Sequence, residues 1–225
     1  MEKAIFWDFD GTLVYSNRSF LDSLQKAARS CGVFLEEERC RAMLGAACSW
    51  NHPERSYEHH RGQLWWQDLL SQVHQYLRTE GLPQSQCTAI CEKFRENAVS
   101  YPYRLYADAR EILAWTGERG YGNYLLSNNF PELRQTVEDL GLGDFFKDIF
   151  LSSELGYEKP RPEIFSLAAQ AAGDPDILYM IGDNPVADMA GAAKAGFHTV
   201  LVHCEKACPD AGYICRELRQ LKEIL

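Results

Sequence analysis

The sequence predicts an α/β protein: a doubly wound parallel sheet with an all-helical module inserted after its first strand. Three observations predict this. Five short apolar runs of strand length recur along the chain, the first closed by glycine. From residue 101 onward, segments with helical periodicity alternate with those runs, the pattern of strand–helix–strand units. Between the first and second runs, residues 16–100 are rich in helix formers and charges and show no clear strand pattern. The expected division is therefore a sheet domain from residues 1–15 and 101–225, interrupted by a helical cap over 16–100.

Taken in order, Ala4 to Asp10 reads as a buried strand that stops at Gly11-Thr12. Ser19 to Ser30, Gln63 to Leu77 and Ser85 to Val99 have the apolar spacing of helices inside the insert. Tyr101-Pro102-Tyr103 brings the chain back, and a helix over Ala107 to Thr116 leads into the strand Tyr124-Leu125-Leu126. Pro131 to Leu140 follows as a helix, with proline near its start and Gly141 just past its end. Strands at Ile149–Leu151, Ile177–Ile181 and Thr199–Val202 alternate with helices at Pro162–Ala172 and Asp188–Ala195, the last stopped by Gly196. Ile214 to Leu225 is expected to be a terminal helix packed on the sheet.

Composition narrows the function. The 225 residues are 46% hydrophobic and 24% charged, which is ordinary globular usage and excludes a disordered or collagen-like chain. The net charge of -9 and a pI near 5.2 disfavour non-specific nucleic-acid binding. The first apolar run meets Asp8 and Asp10 too early for a secretory signal, and no segment approaches the ~18 apolar residues that span a bilayer. A cytoplasmic protein without nucleic-acid or membrane partners, monomeric or homodimeric, is expected. The eight cysteines then read as reduced thiols. Cys87/Cys91 and Cys204/Cys208 are four apart rather than in two-residue knuckles, so buried thiols are favoured over zinc ligands.

Four constellations could carry chemistry. In Asp8-Phe9-Asp10-Gly11-Thr12, residues two apart on a strand share a face, so Asp8 and Asp10 should converge at its carboxyl end. Two close carboxylates call for a cation or a shared proton. Gly11 permits a sharp turn, after which Thr12 and the following amides could face an anion. Ser127-Asn128-Asn129 ends the second predicted strand and offers a hydroxyl and an amide to a phosphate, although such residues more often cap helices. Lys159 lies in Gly156-Tyr157-Glu158-Lys159-Pro160-Arg161-Pro162, a stiff loop that could present an ammonium to an aspartate and a phosphoryl group. Gly182-Asp183-Asn184-Pro185-Val186-Ala187-Asp188 adds acidic groups, making with Asp8 and Asp10 an oxygen-rich set suited to Mg²⁺. Asp188 alone would pass as a helix-start acid.

These segments together resemble the haloacid dehalogenase-like (HAD) hydrolases, a family mostly of phosphatases with a Rossmann-like core. Asp8 to Thr12 is similar to the family's first motif, Ser127 to the second, Lys159 to the third, and Gly182-Asp183 with Asp188 to the fourth, in the family's order. The resemblance covers Lys3–Ser16 and Tyr101–Val202, and the insert matches the helical cap in position and type. Arg161 departs from the pattern, since relatives often carry an acid after the Lys-Pro pair.

The resemblance implies a Mg²⁺-dependent phosphatase acting on a small phosphorylated metabolite. Asp8 would be the nucleophile and Asp10 the general acid and base, with the Asp10 backbone carbonyl also a metal ligand. Asp8 and Asp183 would be side-chain ligands, and Asp188 would hold the metal site through water or the lysine. Thr12, Ser127, Asn128 and Lys159 would bind the phosphoryl group. The cap would act as a lid, with Trp50, Trp65, Trp66, His59 and His60 notable in it; most are expected to be cap core or solvated.

Alternatives from the same core are a phosphomutase of sugar phosphates and a non-catalytic phosphometabolite-binding module, the latter disfavoured because no reactive group is missing. A dehalogenase has no use for Asp10 or Asp183. A phosphonatase needs a cap lysine, and Lys26 and Lys93 lie in unconvincing settings.

Overall fold

The computed structural model describes residues 1–15, 18–47, 58–59 and 61–225. Trp50 and His60 lie outside the described residues, as do Ser16 and Cys48. Six parallel strands form one sheet in the order β3-β2-β1-β4-β5-β6. They are β1 (Lys3–Trp7), β2 (Tyr121–Ser127), β3 (Asp148–Leu151), β4 (Ile177–Gly182), β5 (His198–Leu201) and β6 (Tyr213–Ile214). This is the doubly wound order in which the chain leaves β1 in both directions, and a crevice opens at the carboxyl ends of the strands flanking the reversal.

Both faces of the sheet are covered, which is why its strands are continuous apolar runs rather than alternating ones. Ile5 and Trp7 of β1 join one buried cluster with Leu125, while Ala4 and Phe6 join a second with Tyr124 and Leu126. Asn123 is the polar exception within β2. It accepts from Trp7 Nε1 and Thr116 Oγ1, both at 2.9 Å, and donates to the Leu113 carbonyl at 3.0 Å. A buried amide satisfied this fully costs little.

Between β1 and β2 the described chain is helical: α1 (Ser19–Ser30), α2 (Glu37–Ala47), α3 (Gln63–Thr79), α4 (Gln84–Val99) and then α5 (Ala109–Glu118). α1 packs along α4, and α3 along α4. Downstream helices are α6 (Leu133–Asp139), α7 (Ser152–Leu155), α8 (Pro162–Ala171) and α9 (Gly191–Lys194). No described helix is long and apolar enough to cross a membrane.

Four local expectations need correction. First, β1 ends at Trp7, so Asp8 and Asp10 stand in the loop beyond it, not in the strand. The Phe9 carbonyl accepts from the amides of Thr12, Leu13 and Val14, curling the chain immediately. Those amides are thereby consumed and do not face an anion. Second, α2 was not anticipated from sequence; its apolar stripe is just Cys40, Leu44 and Ala47, too thin to stand out. Third, the segment holding Asp188 is a wide π-type turn, Pro185–Ala190, that runs into α9.

Fourth, the carboxyl-terminal stretch is not an α-helix. Its start forms β6 beside β5, and Leu218–Glu223 is a 3₁₀ turn held by the Arg219 amide on Asp108 and by Lys222 on Glu111. The cysteines pack as free thiols where described. Cys87 and Cys91 are buried in α4, and Cys204 and Cys208 are half-buried beyond β5.

Candidate functional site

The carboxyl ends of β1, β2 and β4 open into a cavity of about 300 Å³. Asp8, Asp10, Ser127, Asn128, Lys159 and Asp183 all line it, together with Asp188. Four sequence segments thus meet at one rim, at the reversal of strand order.

Lys159 is the centre of charge. The residue is 1% exposed, and its ammonium lies 2.7 Å from Asp8 Oδ1 and 2.6 Å from Asp188 Oδ1. Burial alone would favour loss of its proton; the Asp188 and Asp8 carboxylates outweigh that and hold Lys159 above the ordinary lysine value. The lysine's backbone is fixed as firmly. Asn128 Nδ2 donates to the Lys159 carbonyl and Asn128 Oδ1 accepts from the Lys159 amide, both at 2.8 Å. Asn128 therefore spends its side-chain amide on the lysine loop.

Asp8 accepts from Thr12 Oγ1 at 3.2 Å through its other oxygen. Carboxylate oxygens of Asp8, Asp183 and Asp188 lie within 4.8 Å of one another. Three acids this close repel. Burial first, then Asp8 and Asp188, pushes Asp183 up to about 8; burial likewise raises Asp188, against the pull of Lys159. Two glycines make the approach possible. Gly11, at φ +81°, and Gly182 sit where a Cβ would run into the carboxylates of Asp183 and Asp188 respectively. Asp188 is also anchored by the Asn184 amide on its Oδ2 at 3.0 Å. A hard oxygen-only set with surplus negative charge is what a magnesium ion needs, so these residues fit one.

Asp10 is held apart from that trio. Asn129 Nδ2 donates to Asp10 Oδ2 at 2.7 Å, and burial with the nearby Asp8 charge pushes Asp10 up to about 8. Its other oxygen, Oδ1, is buried and has no hydrogen-bond partner among the described residues. Sequence reasoning quoted Asn129 without giving it a task; its place beside Ser127 and Asn128 was the available signal. Ser127 is buried at the end of β2 on the cavity wall.

The helical insert supplies Ser19, Phe20 and Arg41 to the cavity, none of them marked by a sequence motif. Its aromatic residues form the contact with the sheet domain. Trp66 is buried against Phe130, ring centroids 5.3 Å apart, and donates to Glu132 Oε2 at 2.8 Å. Arg95 reaches Glu132 Oε1 at 2.8 Å, and Trp65 Nε1 reaches Glu158 at 3.4 Å. Trp66 therefore seals the join between insert and sheet rather than filling the insert alone. His59 is exposed.

A family model of the haloacid dehalogenase-like hydrolases matches residues 2–196. The chain belongs to that family and is a hydrolase of the type. Along its length it is 28% identical over 209 residues to mouse (Mus musculus) haloacid dehalogenase-like hydrolase domain-containing protein 3, covering 89% of this chain and 81% of that protein. It is 41% identical over 214 residues to the glyceraldehyde 3-phosphate phosphatase of Methanopyrus kandleri, covering 90% and 84%. Among solved structures, the magnesium-bound HAD-hydrolase YfnB of Bacillus subtilis superposes with a TM-score of 0.77 at 19% identity, covering 100% of this chain and 98% of that one. That likeness concerns the fold.

Proposed function

We propose that the protein is a magnesium-dependent phosphatase of small phosphate monoesters, working through an aspartyl-phosphate on Asp8. The observation that carries this reading is Lys159 buried between Asp8 and Asp188 on the wall of a small cavity. Such a lysine holds the Asp8 carboxylate by a direct ion pair and offers positive charge to a phosphoryl group that arrives beside it. A similar phosphatase from Methanopyrus kandleri supports the same reading.

An Asp8 oxygen attacks phosphorus while the bond from phosphorus to the ester oxygen breaks. Asp10, protonated and aimed by Asn129, gives its proton to the leaving alkoxide. Water then attacks the phosphorus of the acyl phosphate, Asp10 takes its proton, and the bond from phosphorus to Asp8 breaks to free inorganic phosphate. Lys159 and Ser127 hold the phosphoryl oxygens, Thr12 keeps the Asp8 carboxylate in line, and Asn128 fixes the lysine loop. Asp8, Asp183 and the Asp10 backbone carbonyl would hold magnesium, with Asp188 steadying the site through Lys159. The ion supplies charge neutralisation for the phosphoryl oxygens. Residues 1–15 and 101–225 are the catalytic core and 16–100 the cap, which closes over the cavity and keeps bulk water from the acyl phosphate.

The test is hydrolysis of p-nitrophenyl phosphate with and without EDTA, beside mass spectrometry of acid-quenched protein. Magnesium-dependent turnover and a phosphorylated peptide containing Asp8 are expected, with a loss of ~10³-fold or more in Asp8→Asn. Wild-type turnover by that variant refutes the nucleophile. Isomerisation of a sugar phosphate without phosphate release would make the enzyme a mutase.

A further inference from the structure

His203 sits just beyond β5 with φ 54°, in the left-handed region that side-chain-bearing residues seldom occupy. Such a conformation persists where the surroundings impose it. Here it turns the imidazole back onto the sheet domain, flat against Tyr106, with ring centroids 3.6 Å apart and planes 9° from parallel. In that pose Nε2 lies 2.9 Å from the Thr12 carbonyl oxygen. A carbonyl can only accept, so Nε2 carries the proton.

Thr12 is the residue whose hydroxyl donates to Asp8. Its amide is already spent on the Phe9 carbonyl within the loop. His203 thus grips the carbonyl end of a residue whose side chain grips the candidate nucleophile.

The stack continues outward. Tyr106 packs on Tyr15 at 4.0 Å, and the Arg104 guanidinium covers the Tyr15 ring at 4.3 Å. The Tyr106 amide donates to the Leu13 carbonyl and the Tyr15 amide to the Arg104 carbonyl. The two chain crossings between sheet domain and helical insert are therefore laced together, and the column they form ends on His203. The family match stops at residue 196, so His203 is a feature of this chain outside the matched segment.

We propose that His203 is a positioning residue: its Nε2–H, braced by Tyr106, fixes the loop carrying Thr12 and Asp8 against the crossing into the insert. A histidine acting this way sets the rate of the step at Asp8 and leaves substrate affinity nearly alone. The kinetic side of the inference rests on the proposed phosphatase function; the loop-positioning side does not.

Two substitutions separate the donor from the ring. His203→Phe keeps the stack and removes the donor, while His203→Gln keeps an amide donor and removes the ring. Steady-state hydrolysis of p-nitrophenyl phosphate by both variants is read beside the ¹⁵N shift of the Leu13 amide, whose nitrogen is bonded to the gripped carbonyl. We expect kcat in His203→Phe to fall about tenfold with KM within about twofold, and His203→Gln to recover most of the loss. The Leu13 resonance should move in the Phe variant and return toward the wild-type position in the Gln variant. An unchanged kcat in His203→Phe, or an equal fall in both variants, overturns the proposal. If the wild-type protein hydrolyses nothing, the functional reading has failed, and the Leu13 shift alone decides the role of His203: no movement in His203→Phe overturns it.

Discussion

Lys159 puts a full positive charge where water hardly reaches, and it is tolerable there because two carboxylates meet it. Removing one partner of such a cluster is worse than never having built it. In Lys159→Met the Asp8 and Asp188 carboxylates face each other and Asp183 unscreened. We expect that variant, in EDTA, to lose ~3–5 kcal/mol of stability, and kcat to fall ~10²–10³-fold. Magnesium should raise its melting temperature more than that of the wild type, since the ion then supplies the missing charge. Equal melting temperatures of variant and wild type in EDTA would refute the electrostatic account. At this scale the sequence was legible where residue type and strand end coincide, as at Asp8, Asp183 and Ser127. It was silent on partners. That Asn128 serves the Lys159 backbone and Asn129 serves Asp10 depends on side-chain directions set by packing, which no spacing rule encodes.

The loop between α7 and α8 shows how one element reports on another. Glu158, next to Lys159, is 4% exposed and takes the Trp65 Nε1 of α3 at 3.4 Å. Burial pushes its carboxyl up to about 7; the bonds from Trp65 and Ser152 oppose this, and Asp68 of α3 adds to it. The sign is that of a raised acid. Glu158 is neutral in the folded protein below about 7 but ionises near 4.5 when unfolded, so its contribution is fully present below about 4.5 and is lost as pH rises through 7. Glu158→Gln, neutral throughout, should melt higher than wild type at pH 8 and show a flatter decline between pH 5 and 8, the difference reaching at most a few kcal/mol. Parallel melting curves across that range would show that Glu158 does not titrate there. Long elements with full apolar stripes, α1, α4 and α8 among them, could be read from sequence nearly to the residue. The thin stripe of α2 and the two residues of β6 could not, because tertiary contacts rather than local periodicity decide them.

Over the whole molecule, the parallel sheet and its helical insert meet at the cavity rather than merely lying side by side. Strand alternation in the sequence was enough to predict a doubly wound sheet, but not which strands would neighbour β1; that order is what brings Asp8 and Asp183 together from opposite ends of the chain. The insert is joined to the sheet by Trp66 and Arg95 on Glu132 and by Trp65 on Glu158. Occupation of the cavity must therefore be felt at those tryptophans if the insert shifts on ligand binding. Adding inorganic phosphate with magnesium should change the intrinsic fluorescence in a saturable way. Trp65→Phe should remove most of that change. Trp115→Phe should leave it intact, because Trp115, on α5, stacks under Arg119 and under Lys222 of the carboxyl-terminal turn rather than on the insert's tryptophans. A signal that survives in Trp65→Phe, or vanishes equally in Trp115→Phe, would mean the insert does not move with the site, and the cap would then be a fixed wall rather than a lid.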